Sequence, residues 1–173
     1  MHRFVSGKIW TPVFAIVDLK DATVTISDGA AASVVASVGD GNVQWTEKRN
    51  VDYILDKGLI DEVREGDQEP VDVSMQFNFE LVTAYSTSHV TVEEAISQTG
   101  NASGWTSSDA DACRPYAVDI GIVLNPAAAA CTGYKSITLA DYRWEQLDFD
   151  IGGGTVSTTG KCNITTATVD NSE

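Results

Sequence analysis

The chain has 173 residues, 43% of them hydrophobic. That is enough for one domain hiding about 70% of its unfolded surface, with no need of a metal or disulfide framework. Its 25 Asp and Glu against 11 Lys and Arg leave a net charge of −14, which repels nucleic-acid phosphates and anionic membrane and so excludes conventional DNA binding. Plain solubility explains such acidity equally well, so charge alone selects no function.

In chain order, residues 1–21 read as an N-terminal arm. It holds Arg3 and Lys8, but its longest apolar run, Val13 to Val17, is too short for a signal core or a membrane span, so neither is expected. Ala22 to Ser27 and Val43 to Glu47 are rich in Val, Thr and Ile and predict short strands. The simple stretch Asp28 to Asn42 between them reads as a loop or strand connection.

Residues 47–69 differ in character: eight acids and four bases interleave with Val51, Tyr53, Ile54, Leu55, Leu59, Ile60 and Val63, without a clear period. This predicts a protruding hairpin or arm that contacts a neighbouring subunit through Tyr53, Ile54, Leu55, Leu59 and Ile60. The plainer alternative is a solvated loop packed on its own domain.

From Val71 to Leu81 every odd position is apolar and every even one polar, the pattern of a long half-buried strand. Thr91 to Glu94 has the form of a capping box; Val92, Ala95 and Ile96 give an apolar stripe, and Gly100 is the expected stop. The outer helix over 91–99 is too short to stand alone in water and must lie against a sheet. Tyr116 to Leu124 and Leu147 to Ile151 predict two more strands, with a weaker one over Lys161 to Val169. Pro126 to Ala130 reads as a connection. The expected fold is all-β, a sandwich or barrel of one domain over 1–173, with one flanking short helix.

The inventory for catalysis is thin. His2 and His89 are the only histidines, and no Gly-x-Ser-x-Gly elbow or His-Glu-x-x-His is present. Gly152 to Gly154 with Gly160-Lys161 lacks Walker spacing and reads as a turn between strands. Asp109-Ala110-Asp111 begins like a calcium loop but lacks its Gly and its later Glu. Asp148 and Asp150 share a strand face and could imitate a glycosidase pair, yet Tyr142 and Trp144 make only a weak sugar platform, and a solvated face explains them better. Three cysteines, Cys113, Cys131 and Cys162, are an odd count without paired metal spacing and suit a protein made in reducing cytoplasm. No enzyme, metal or cofactor is expected.

Val63-Arg64-Glu65-Gly66-Asp67-Gln68-Glu69-Pro70-Val71-Asp72-Val73-Ser74-Met75-Gln76-Phe77 resembles the phrase that opens a long strand in siphophage major tail (tail tube) proteins. Cys113 to Ile120 follows, then Ile137 to Arg143 leading into Glu145 to Asp150, a Gly turn, and Gly160-Lys161-Cys162. Together these phrases cover roughly residues 42 to 168 in the family's order. The resemblance implies a structural virion protein, made in the host cytoplasm, whose hexameric rings stack into the tail tube. It also implies other tail proteins (terminator, tape measure, distal tail) as partners, and double-stranded DNA passing through without specific binding.

Physical chemistry agrees with such a conduit: six copies at −14 each place −84 on a ring, leaving few cations for phosphates to exchange counterions with. The lumen-facing candidates are Asp72, Gln76, Glu80, Asp119, Asp148 and Asp150; an ordinary solvated strand face accounts for them equally. The runner-up reading is another tail component, a tail terminator or an injection-system tube protein. A third, from a different class, is a carbohydrate-binding or adhesive β-sandwich. Against it, Trp10, Trp45, Trp105 and Trp144 are scattered and form no repeated platform.

Overall fold

The computed structural model describes residues 22–36, 42–79, 89–124 and 134–172. Ten strands form: β1 Ala22–Ser27, β2 Ser33–Ala36, β3 Val43–Thr46, β4 Val51–Asp56, β5 Leu59–Glu65, β6 Val71–Asn78, β7 Val118–Leu124, β8 Tyr134–Asp150, β9 Thr155–Cys162 and β10 Thr168–Ser172. One helix, α1 Val92–Ser97, and a 3-10 turn over Gly100–Ala102 complete the elements. Eight strands make one antiparallel sheet in the order β2-β1-β7-β8-β9-β6-β3, with β10 beside the first half of β8, while β4 and β5 pair only with each other.

Period-two patterning fixes the inner face. Across the sheet one row runs Ala36, Val24, Ile122, Ile137 and the next runs Val34, Ile26, Ile120, Leu139. On the other side Val71, Val73, Met75 and Phe77 pair with Cys162, Gly160, Thr158 and Val156. The hydrophobic side chains of these rows, apart from the partly buried Val34 packed against them, belong to a single buried cluster that also takes Val92, Ala95 and Ile96 of α1. One six-residue helix cannot cover a sheet this wide, so the sheet buries its inner face by curling on itself as an open, barrel-like layer. The buried Tyr142 hydroxyl is satisfied by Thr158 Oγ1 at 2.8 Å, and burial raises its pKa.

The long strand β8 makes the curl possible. Straight, its 17 residues would span about 56 Å. Two bulges bend it. At the first, Val118 faces Tyr142 and Ile120 faces Leu139, so β8 carries one residue more than β7; Asp141 there sits at φ 55°, with its N–H donating to Asp119 Oδ1 at 2.9 Å. At the second, Trp144 faces Gly160 and Gln146 faces Thr159, leaving Glu145 as the extra residue. Gly160 is required by close approach: a Cβ would stand 2.1 Å from the Arg143 carbonyl oxygen and 2.8 Å from Trp144 Cα.

Several expectations shift in detail. The long alternating strand ends at Asn78 rather than Leu81, and Glu80 and Leu81 lie outside the described residues. The Asp28 to Asn42 stretch contains β2. Lys161 to Val169 is the end of β9, a connection and the start of β10. Tyr116 precedes β7 and donates its hydroxyl to the Ala95 carbonyl at 3.0 Å, tying α1 to the sheet; burial pushes its pKa up to about 12. The helix stops two residues earlier than Gly100, at Gln98 in the left-handed region (φ 54°), whose side chain donates to the Trp105 carbonyl at 2.8 Å. Only half of the capping box is well made: Glu94 Oε2 accepts the Thr91 N–H at 3.3 Å, whereas the buried Thr91 hydroxyl lacks a well-aligned partner.

Asp28 ties the helix-side loop to the β1–β2 turn. Its carboxylate accepts N–H groups of Ala30 and Ala32 at 2.9 Å and of Thr106 at 3.2 Å. Burial alone would raise its pKa, but these donors outweigh that effect and hold it below the ordinary value.

Candidate assembly surfaces

The ribbon of β4 and β5 departs most from its sequence reading. Residues 47–69 seem to lack a period because β5 carries a bulge: Ile54 faces Glu62 but Leu55 faces Ile60, leaving Asp61 extra. With that residue removed from the count the alternation is restored. One face presents Val51, Tyr53, Leu55, Ile60 and Val63 with Glu65, and the other presents Asp52, Asp56, Glu62 and Arg64 with Ile54 and Leu59. The five proposed contact residues are therefore split, Tyr53, Leu55 and Ile60 on the apolar face, Ile54 and Leu59 on the polar one. Val51 and Val63 join the apolar face, and only the bulge identifies them.

The ribbon turns at Lys57 and Gly58, both at positive φ (50° and 84°), the conformation of a two-residue hairpin loop matched to strand twist. At its base the Gly66 N–H donates to the Asn50 carbonyl at 3.0 Å, and Lys48 pairs with Asp72. Tyr53, Leu55 and Ile60 remain 61%, 60% and 64% exposed. Two strands alone are marginal in water, and an apolar face left open makes them more so.

The lumen candidates fall partly together. Antiparallel register places Asn78, Thr155 and Asp150 in one outward row, Gln76, Ser157 and Asp148 in the next, and Asp72, Lys161 and Arg143 two rows further on. Asp72, Gln76, Asp148 and Asp150 thus share one polar face of β6, β9 and β8, which two cations, Lys161 and Arg143, also enter. Asp72 is held by Lys48, whose hydrogen bond lowers the carboxyl's pKa and has its own raised in return. Asp148 accepts from Gln146 Nε2 at 2.7 Å, and Asp150 accepts the Gly153 N–H at 2.9 Å across the β8–β9 turn. Asp119 lies on β7 with its carboxylate committed to the Asp141 bulge. Glu80 lies outside the described residues.

Asp109, the start of the calcium-like phrase, is instead the hub of a cation cluster. Arg143 and Arg114 both meet its carboxylate, whose side chain is 8% exposed. The Asp111 N–H foremost, then Arg143 and Arg114, overcome burial and hold its pKa at about 2. Among the described residues no group of three or more His, Cys, Asp or Glu could hold a metal ion, and no helix is long and apolar enough to cross a membrane. Cys162 is buried and its thiol pKa is pushed up to about 12 by burial, then by Asp119 and Asp141; Cys113 is exposed. Cys131, His2 and Trp10 lie outside the described residues.

A second apolar surface was not singled out in the sequence. Trp144, Leu147 and Phe149 point to the same side as the core residues they pair with, Gly160, Thr158 and Val156. Yet Trp144 and Phe149 are 44% and 53% exposed, because beyond Tyr142 no strand among the described residues pairs with the far edge of β8. Phe79 meets Phe149 edge to face at 6.3 Å between ring centroids, and Ile151 follows at 85% exposure.

No protein-family model matches the chain, and no curated protein does either. Solved structures do share its fold. One is a sheath/tube terminator of an extracellular contractile injection system in its extended state, with TM-score 0.58 and 10% identity over 92% of this chain and 99% of that one. Another is the tube-terminating cap of the anti-feeding prophage, with TM-score 0.56 and 12% identity over 98% of this chain and all of that one. The all-β fold expected from the strand pattern, tail-tube-like as the resemblance implies, is therefore the fold found, and two tube-terminating proteins share it.

Proposed function

We propose that the chain is a non-enzymatic structural subunit of a tail-like particle, assembling as a ring that ends the tube. The observation that carries this reading is the end-to-end correspondence with two tube-ending proteins of nearly the same length. The open apolar ribbon supports it, since none of the described residues of the chain covers that face and another chain can. Six copies per ring, neighbouring tail proteins as partners, and passage of DNA past the polar face of β6, β9 and β8 complete the proposal.

A tail tube subunit is the second reading, favoured by the phrases at 63–77 and 137–162 that resemble major tail proteins. Electron microscopy of the purified protein separates the two. Discrete rings with a central hole that do not stack support a terminator, and long tubes support a tube subunit. A chain that stays monomeric at high concentration and moderate salt would defeat both.

A further inference from the structure

Two apolar surfaces of this chain stand open, and they differ in kind. One is the ribbon face of Tyr53, Leu55, Ile60 and Val63; the other is the unpaired side of β8 with Trp144, Phe149, Phe79 and Ile151. We propose that they are the two halves of one head-to-tail contact, in which the ribbon of one copy docks against the open flank of β8 in the next. The inference rests on the ring-forming reading above, and it specifies which surfaces make the ring.

Area is the first argument. With about 150–250 Å² for a large side chain, the exposures leave about 450 Å² of apolar surface on each side. Each patch is the size of the largest apolar patch on a typical monomer, which is often functional, and with a polar rim each approaches the roughly 800 Å² per partner of a stable interface. The two are matched in size, as halves of one contact must be.

Shape is the second. The ribbon strands hold six and seven residues, and the stretch of β8 that β9 pairs on one edge and β7 leaves open on the other, Arg143 to Asp150, holds eight. Both surfaces are strand faces with the same pleat spacing, and both lie beside strand edges whose N–H and C=O groups can take another strand. The ribbon pairs only with itself and joins the main sheet through the linkers 47–50 and 66–70, so it is free to reach outward.

Symmetry is the third. Ribbon against ribbon would be a two-fold contact that stops at a dimer. Ribbon against β8 uses different patches on each copy, and only such a heterologous contact propagates into a closed ring.

The test uses two variants of the full chain. Leu55→Asp with Ile60→Asp spoils the ribbon and leaves the flank intact; Phe149→Asp with Ile151→Asp spoils the flank and leaves the ribbon intact. Ile151→Asp alone, in the β8–β9 turn, serves if the Phe149 change unfolds the protein. Each variant alone should be monomeric by sedimentation velocity where the wild type assembles. A one-to-one mixture should give a heterodimer and nothing larger, at least about 70-fold tighter than either self-association. A mixture that stays monomeric, or assembles beyond two, overturns the proposal. If wild-type rings are seen while the mixture stays monomeric, the docking scheme fails and the ring reading stands. A wild type that never assembles removes both.

Discussion

The bulge in β5 makes a prediction that sequence alone could not, because it separates two leucines that look equivalent. Leu55 lies on the apolar ribbon face and Leu59 on the polar one. Two double variants compare the faces: Leu55→Asp with Ile60→Asp, and Ile54→Asp with Leu59→Asp. Leu55 and Ile60, exposed at 60% and 64%, offer about 200 Å² between them, worth about 5 kcal/mol at 25 cal/mol per Å² if docking buries it fully. Binding costs consume part of that; with half surviving, assembly weakens by about 2.5 kcal/mol, roughly 70-fold. The second pair should weaken it only a few-fold. Both variants carry the same loss of β-propensity, so melting of the ribbon itself would affect them equally. Sedimentation velocity over a concentration series, with far-ultraviolet circular dichroism as the folding control, reads the difference. Equal weakening by the two pairs, or none by the first, refutes the assignment of the apolar face.

Gly160→Ala should cost about 2–3 kcal/mol in thermal unfolding, because the new Cβ meets backbone atoms of Arg143 and Trp144 that no rotamer change can move; a wild-type melt would show that β8 and β9 separate freely there. Asp109 has its folded pKa lowered to about 2, so its contribution is whole above the unfolded carboxylate value of about 3.9 and is lost as pH falls through about 2. Asp109→Asn should accordingly flatten acid unfolding between those values, and an unchanged acid melt by tryptophan fluorescence would sink the claim. If the polar face of β6, β9 and β8 lines the passage, Asp148→Lys with Asp150→Lys should slow DNA ejection from assembled particles at low salt and release it at high salt. These positions spare Asp72 and Asp119, whose carboxylates hold Lys48 and the Asp141 bulge. Wild-type ejection at both salts would place that face away from DNA.

How far the sequence could be read followed from how regular the local pattern was. β6 was legible because all eight of its residues alternate without interruption, and α1 because a capping pattern and an apolar stripe coincide. Of β8 only its end, from Leu147, was read as a strand, since each of its two bulges inverts the phase of the alternation and breaks up the pattern of a 17-residue strand. The same defect hid the two faces of the ribbon, where one extra residue at Asp61 made an amphipathic hairpin look aperiodic. Helix termination was misplaced by two residues because a polar residue, Gln98, takes the left-handed position that Gly100 was expected to fill. The open flank of β8 could not be read at all: Trp144 and Phe149 have the sequence signature of core residues, and their exposure follows from the absence of a neighbouring strand, which is a fact of topology.

That absence also bears on what the fold is for. A sheet that curled far enough to pair its last edge would bury Trp144 and Phe149 and leave no edge to template another chain. Here the curl stops short, and the strand pair that could have continued the sheet is instead set apart as the ribbon. The chain therefore carries, on separate parts of itself, an unfilled place beside a strand and a strand pair without a place. With a net charge of −14 on each copy, long-range forces oppose association and screening relaxes them, so specificity has to come from short-range apolar fit. On the docking proposed above, an acidic protein whose large apolar surfaces among the described residues are strand faces of similar size associates in one geometry, which is what a ring at the end of a tube requires.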